Sequence, residues 1–446
     1  MQLQAKPHGP LAGSARVPGD KSISHRALMF AGLAVGASRI EGLLEGEDVM
    51  ATAGALRRLG VAVARKGDGV WEVEGPGFAA LKEPDDVLDM QNAGTGARLL
   101  MGILAGCPFT AFMTGDASLR RRPMRRVIEP LSDMGAAFWA RGGGRLPLAV
   151  RGRGDLLPIA WRSPVASAQV KSAVMLAGLA ALGRTTVTEP GASRDHSERM
   201  LRAMGAEVEG ADTDGGHVVA VAGRPALRPV DFTVPGDPSS AAFPLAASAA
   251  RPGSRLRLEG VGVNPLRTGL VETLREMGAR IGVERPREVA GEPVADLVVE
   301  GVGLRGVDVP PGRAPSMIDE YPVLAALAAV AEGTTRMRGL AELRVKESDR
   351  LAVMADGLRA CGVEAAIEGD DLIVHGRGDG RGLGGASIDA RLDHRIAMSF
   401  LVLGGLAEAP VRVDGAEAID TSFPGFVGLM NGLGAAISGA ISGEEG

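Results

Sequence analysis

Leu266-Arg267-Thr268-Gly269-Leu270-Val271-Glu272-Thr273-Leu274-Arg275-Glu276-Met277-Gly278-Ala279-Arg280-Ile281-Gly282-Val283 is the most informative stretch of this chain. Leu266, Leu270, Leu274 and Met277 follow i, i+4, i+8, i+11, one face of a helix. Gly278 supplies the left-handed residue that ends a helix. Ala279, Ile281 and Val283 then alternate with polar or small residues, as a strand does. The kernel is an apolar residue, two variable ones, an apolar residue, Gly, then Ala or Val. It recurs at Leu56–Val61, Leu131–Ala136, Leu201–Ala206, Leu274–Ala279, Leu358–Val363 and Met430–Ala435. The glycines at 60, 135, 205, 278, 362 and 434 are spaced by 75, 70, 73, 84 and 72 residues. Each repeat reads helix, glycine stop, strand, and is too long for a solenoid.

The repeats also divide in two. Val17-Pro18-Gly19-Asp20-Lys21-Ser22 reappears as Val234-Pro235-Gly236-Asp237-Pro238-Ser239, 217 residues later, and three repeats follow each copy. The expected architecture is α/β: two similar lobes, residues 20–234 and residues 1–19 plus 235–446. With two lobes, the cleft between them is the default ligand site.

Composition narrows the function. Of 446 residues, 45% are apolar and 23% charged, enough for a large core and against disorder. Aromatics are only 3%, with Tyr321 the single tyrosine, so the core must be aliphatic. A net charge of −5 gives no reason to expect nucleic acid as a partner. Cys107 and Cys361 make neither a disulfide framework nor a zinc site. No apolar run approaches the ~20 residues of a membrane span, and residues 1–20 carry no secretory h-region. No membrane partner is expected, and a cytoplasmic monomer is. The six histidines have no metal-ligand spacing, and there is no Walker or dinucleotide fingerprint, so neither metal nor nucleotide cofactor is expected. Only six of the 49 basic residues are Lys (6, 21, 66, 82, 171, 346), which marks them as places where a compact ammonium is wanted.

Four apolar helices open on polar clusters: Lys21-Ser22-Ile23-Ser24-His25-Arg26, Asn92-Ala93-Gly94-Thr95-Gly96-Ala97-Arg98, Ser167-Ala168-Gln169-Val170-Lys171-Ser172 and Asp393-His394-Arg395. Helix N-termini present free N–H groups and partial positive charge, so they suit anions. Taken singly, such residues are as well read as caps. Arg120-Arg121-Arg122-Pro123-Met124-Arg125-Arg126 is the densest basic run, with Pro123 expected in the first turn of the next helix and Arg122 at its start. Pro315-Ser316-Met317-Ile318-Asp319-Glu320-Tyr321-Pro322 sets two carboxylates among apolar residues, suited to accepting a proton. Arg344-Val345-Lys346-Glu347-Ser348-Asp349-Arg350 interleaves charges; standing alone it would read as a salt-bridged surface helix.

Together these segments, in this order and over nearly the whole chain, resemble the 5-enolpyruvylshikimate-3-phosphate synthase family, and within it the divergent bacterial branch. The resemblance implies two domains, each of three βαβαββ units, an inverse α/β barrel-like enolpyruvyl transferase fold. It implies transfer of the enolpyruvyl group of phosphoenolpyruvate to the 5-hydroxyl of shikimate 3-phosphate. It assigns Lys21, Ser22, Arg26, Ser167, Ala168, Gln169, Arg194, Asp319 and Lys346 to shikimate 3-phosphate. It assigns Lys21, Gly94, Arg122, Gln169, Arg350 and Arg395 to phosphoenolpyruvate. Asp319 looks like the base for the hydroxyl, with Glu347 and Lys21 as candidate proton donors to carbon. The lobes are expected to close on shikimate 3-phosphate.

Two positions mark departures within the family pattern. Thr421-Ser422-Phe423-Pro424 stands where many members carry Lys before Thr-Phe-Pro. Gly94 stands where some glyphosate-tolerant members carry Ala, which implies a glyphosate-sensitive site. Two other readings remain open: the sister UDP-N-acetylglucosamine enolpyruvyl transferase, which would need a reactive cysteine such as Cys107, and a non-catalytic anion binder.

Overall fold

A computed structural model describes residues 1–439, which form six four-stranded sheets. They divide into two units. The first holds Gly19–Pro235 together with Glu288–Glu292; the second holds Met1–Pro18, Gly236–Arg287 and the chain from Pro293 onward. The short piece Glu288–Glu292 departs from the expected boundaries. Its membership of the first unit has a polar cause: Glu292 Oε1 lies 2.7 Å from His196 Nδ1, and Arg199 donates to the Gly291 carbonyl at 3.0 Å.

The repeated phrase has the structural meaning its pattern implies. The six glycines are all left-handed: φ is +87° at Gly60, +105° at Gly135, +90° at Gly205, +104° at Gly278, +81° at Gly362 and +108° at Gly434. A side chain at such a φ is strained, so glycine is the residue that turns the chain there. Each follows a helix (Glu47–Arg58, Arg125–Asp133, His196–Ala203, Gly269–Glu276, Arg350–Ala360, Phe426–Gly432) and leads into an edge strand. The first of the two positions read as variable is not neutral. Arg57, Arg202, Arg275 and Arg359 each donate through Nε to the carbonyl six residues on, at 2.9, 2.8, 3.2 and 2.8 Å, and the Asn431 amide does the same at 2.8 Å. The side chain thus spans the glycine turn and pins the strand to its helix.

Two details differ from the sequence reading. The helix of the opening stretch starts at Gly269, because Pro265–Arg267 is a 3₁₀ turn in which Asn264 accepts from the Leu266 N–H at 3.0 Å. Pro123 lies just before the N-cap Met124 of the helix Arg125–Asp133 rather than in its first turn.

Every sheet has one plan, with two antiparallel neighbours at its centre. In the first, Phe232–Thr233 runs parallel to Val35–Glu41, which pairs antiparallel with Val70–Pro76, which pairs antiparallel with Ala62–Gly67. Closure in each unit depends on strands from distant parts of the chain. Phe232–Thr233 completes the first sheet, Ala12–Ala15 pairs with Arg255–Gly262, and Gln2–Lys6 lies between Val411–Asp414 and Ala436–Gly439.

Inside each unit lie three helices that are apolar nearly all round, the pattern of a fully enclosed helix. They are Lys21–Leu33, Gly94–Ala105 and Ala168–Gly178 in the first unit, and Pro238–Ala250, Tyr321–Ala328 and His394–Leu406 in the second. All thirteen residues of His394–Leu406 are buried. Close approach is bought by small residues: a Cβ on Gly102 would lie 2.2 Å from the Ala173 carbonyl oxygen, so Gly102 lets two inner helices touch backbone to backbone. Asp20 and Asp237, equivalent in the duplicated segment, both cap their helices, accepting from the N–H of Ile23 and of Ser239 at 2.8 Å each. Such a cap contributes about 1 kcal/mol.

Candidate active site

The first turns of the inner helices carry the polar clusters. In the first unit Lys21 begins its helix, and its Nζ sits 3.0 Å from Asp48 Oδ2. Ser22 follows it. Arg26, one turn on, is buried. It donates through Nε to the Ser197 hydroxyl at 2.8 Å, through Nη2 to the Ser172 hydroxyl at 2.9 Å and through Nη1 to the Ser22 carbonyl at 2.9 Å. Burial lowers its pKa to about 10, against the pull of Glu198, Asp20 and Glu292, and the charge of Arg194 pushes the same way as burial. Arg26 therefore stays cationic at neutral pH and ties three helices together. His25 beside it is buried against Thr52 Oγ1 at 2.8 Å; burial, then Lys21 and Arg26, bring its pKa down to about 3, so it is neutral.

Gly94 opens the second inner helix. A Cβ there would lie 2.9 Å from Arg122 Nη1 and 3.2 Å from Arg98 Nη1. Arg122 sits just after a 3₁₀ turn and is held by Asn92 Oδ1 at 2.7 Å and Ser118 Oγ at 3.2 Å. Ser167 caps the third helix and Ala168 is its first residue. Gln169 joins this helix end to the second: its Oε1 accepts from Arg98 at 2.8 Å and its Nε2 donates to Thr95 Oγ1 at 2.9 Å. Lys21, Ser22, Arg26, Ser167, Ala168, Gln169 and Arg194, with Gly94 and Arg122, thus all belong to the first unit.

The second unit gathers the other set. Asp319 Oδ1 lies 3.2 Å from Arg350 Nη1 and 3.6 Å from Lys346 Nζ. Glu347 Oε2 is 2.7 Å from Arg350 Nη2. Arg395 Nη1 donates to the Asp319 carbonyl at 3.2 Å. At the centre is Asp393, fully buried. It contacts Arg350 Nε at 2.8 Å, the Ser348 hydroxyl at 3.0 Å and the Arg395 N–H at 3.0 Å. Burial alone works against a charge on Arg350, but Asp393, Glu347 and Asp319 together outweigh it and raise its pKa above the ordinary guanidinium value. Opposite charges this close, out of water, attract far more strongly than at the surface.

The reading of residues 344–350 as a surface helix does not hold. Ala341–Val345 is a 3₁₀ turn, Lys346 is extended, and the helix starts at Arg350 with Asp349 as its cap, accepting from the Ala352 N–H at 3.0 Å. The break frees Lys346 and Glu347 from helical spacing and lets both reach inward. Thr421 ends a 3₁₀ turn with its hydroxyl on the Ala418 carbonyl at 2.7 Å, so no cation stands there. Cys107 is buried, hydrogen-bonded to the Ile103 carbonyl at 3.4 Å, and desolvation pushes its thiol up to about 12. That is the setting of an inert thiol, not of a reactive one on an open loop.

The sequence reading missed Asp48, Asn92, Arg98 and Asp393 as partners of the expected site residues. Asn92, Arg98 and Asp393 lie inside the quoted motifs and were within reach. Asp48 meets Lys21 across 27 residues and leaves no local signal.

An α/β protein of twofold-repeated three-sheet units, with cation-rich helix N-termini in each, is the class that these features define. The model of the family EPSP synthase (3-phosphoshikimate 1-carboxyvinyltransferase) matches residues 5–430. A 3-phosphoshikimate 1-carboxyvinyltransferase of Paramagnetospirillum magneticum is 63% identical over 441 residues, 98% of each chain. The one of Acidiphilium cryptum is 61% identical over 439 residues, again 98% of each. The solved EPSP synthase of Acinetobacter baumannii superposes with a TM-score of 0.88 at 42% identity, covering 99% of this chain and 100% of that one. The chain belongs to the EPSP synthase family and has the enolpyruvyl transferase fold. Among the described residues no helix is long and apolar enough to cross a membrane.

Proposed function

We propose that this chain transfers the enolpyruvyl group of phosphoenolpyruvate to the 5-hydroxyl of shikimate 3-phosphate, releasing phosphate, as a cytoplasmic monomer of the shikimate pathway towards chorismate and the aromatic amino acids. The observation that carries this reading is the Asp319 carboxylate held against Lys346 and Arg350, with Glu347 on the same arginine. A base, a second carboxyl group and two cations gathered in this way suit chemistry on an anion.

In the proposed sequence, a proton is added to C3 of phosphoenolpyruvate and the 5-oxygen bonds to C2 while Asp319 takes the hydroxyl proton. The tetrahedral adduct then loses a C3 proton as its C2–O bond to phosphate breaks, leaving the enolpyruvyl ether. Glu347 and Lys21 are the groups suited to the C3 proton. Shikimate 3-phosphate would be held by Lys21, Ser22, Arg26, Ser167, Ala168, Gln169 and Arg194, with Asp319 and Lys346 at the reacting hydroxyl. Phosphoenolpyruvate would be held by Lys21, Gly94, Arg122, Gln169, Arg350 and Arg395. Two anions repel, so the cations lower the cost of bringing them together. The buried, unreactive Cys107 weighs against the sister sugar-nucleotide enzyme.

Phosphate release, followed with each substrate alone and with both, is the test. Release of the phosphoenolpyruvate phosphate is expected only with both, and only with shikimate 3-phosphate rather than UDP-N-acetylglucosamine as the acceptor. A chain that bound shikimate 3-phosphate yet released nothing, with Asp319→Ala binding as tightly as the original, would be an anion binder instead.

A further inference from the structure

Lys171 is fully enclosed at the second turn of its helix, whereas Lys6, Lys66 and Lys82 are exposed and Lys21 and Lys346 keep part of their surface. Its Nζ meets Glu198 Oε1 at 2.7 Å, Glu189 Oε2 at 3.2 Å and the Ser193 carbonyl at 3.1 Å. The first two are ion pairs with carboxylates and the third is a hydrogen bond to a carbonyl. Glu189, also enclosed, reaches in two directions: its Oε1 accepts from the Ser167 N–H at 2.6 Å and its Oε2 from the Ser193 hydroxyl at 2.7 Å. One carboxylate therefore fixes the cap of the helix that carries Ala168 and Gln169. The same carboxylate fixes the segment that carries Arg194.

We infer that Lys171, Glu189 and Glu198 are positioning residues that set the distance between Ser167 and the Ser193–Arg194 segment so that both face one phosphate group of the acceptor substrate. This rests on the function proposed above. Stability alone is a weak reason for the cluster, since well-packed apolar residues often replace a buried ion group without loss. What apolar residues could not supply is the orientation of a backbone N–H and a hydroxyl on two separate segments. Charge is balanced within the cluster: Glu189 and Glu198 lie against Lys171, and Glu198 also acts on Arg26.

The test uses the full chain and inorganic-phosphate-free shikimate 3-phosphate in titration calorimetry, with steady-state kinetics beside it. Glu189→Gln, which keeps the shape, is expected to raise both the Kd and the KM for shikimate 3-phosphate by ~10-fold or more, about 1.4 kcal/mol. The KM for phosphoenolpyruvate and kcat at saturation should change by less than about threefold, a split that loss of transition-state contacts would not give. Ser193→Ala, a milder change that removes only one hydroxyl, should weaken binding as well. Combined with Glu189→Gln it should cost less than the sum of the two, because both cut the same contact. A lowered Tm with unchanged shikimate 3-phosphate affinity in both variants overturns the inference and leaves the cluster a fold element. Equal losses for the two substrates overturn it also. If the unmodified chain binds no shikimate 3-phosphate, the functional reading itself fails, an outcome distinct from normal binding by the unmodified chain and both variants.

Discussion

A methyl group at Gly94 would stand 2.9 Å from a guanidinium nitrogen of Arg122, closer than such contacts tolerate. Arg122 is tethered to Asn92 and Ser118, so it can retreat only by loosening those bonds. Gly94→Ala is therefore expected to raise the KM for phosphoenolpyruvate several-fold and the glyphosate inhibition constant by a larger factor, with the KM for shikimate 3-phosphate little changed. Steady-state kinetics with glyphosate as inhibitor would show it, and an unchanged inhibition constant would contradict it. At this scale the sequence was readable wherever partners are neighbours in the chain. Lys21 to Arg26 and Asn92 to Arg98 announced themselves because a helix start needs its polar groups within one turn. Glu189 and Glu198 did not, because Lys171 meets them only after a strand and a loop bring them back, and single buried glutamates carry no pattern.

Helices and strands were legible through the glycine stop, since a left-handed turn narrows the residue choice almost to one. The Arg that bridges four of the six stops was visible in the letters, at 57, 202, 275 and 359, but its purpose required the strand carbonyl to be seen. Periodicity overstated the helix at Leu266, where the Asn264 side chain captured a backbone N–H and a 3₁₀ turn formed instead, while at residues 344–350 a 3₁₀ turn ends at Val345 and the helix begins only at Arg350, capped by Asp349. Between elements, packing of the two inner helices at Gly102 leaves no room for a side chain. Gly102→Val is expected to push the Gly94–Ala105 and Ala168–Gly178 helices apart and destabilise the chain by roughly 1–3 kcal/mol. Because Gln169 bridges those helix ends to Thr95 and Arg98, the KM for phosphoenolpyruvate should rise with the loss of Tm. A variant with unaltered Tm would show that the helices have slack there.

Over the whole chain, the duplicated Val-Pro-Gly-Asp segment signalled two units, because both copies cap an inner helix through the same aspartate. Nothing local signalled that Gln2–Lys6 lies as a central strand with Val411–Asp414 on one side and Ala436–Gly439 on the other. Pairing across such distances has no trace in periodicity. Deleting residues 2–9 is expected to unravel that sheet and expose the His394–Leu406 helix, while residues 20–235 keep their protection. Hydrogen exchange read segment by segment would reveal this, and full protection at 394–414 in the shortened chain would count against it.

The placement of Gln2–Lys6 also bears on biosynthesis. Gln2 and its hydrogen-bond partner Asp414 are 412 residues apart. During translation the leading strand therefore leaves the ribosome long before either of its flanking strands exists. At about 5–20 residues per second, that wait lasts some tens of seconds. Throughout it, the nascent chain must carry an unpaired, half-apolar edge that a chaperone or a neighbouring polypeptide can seize, while residues 20–235 are free to fold at once.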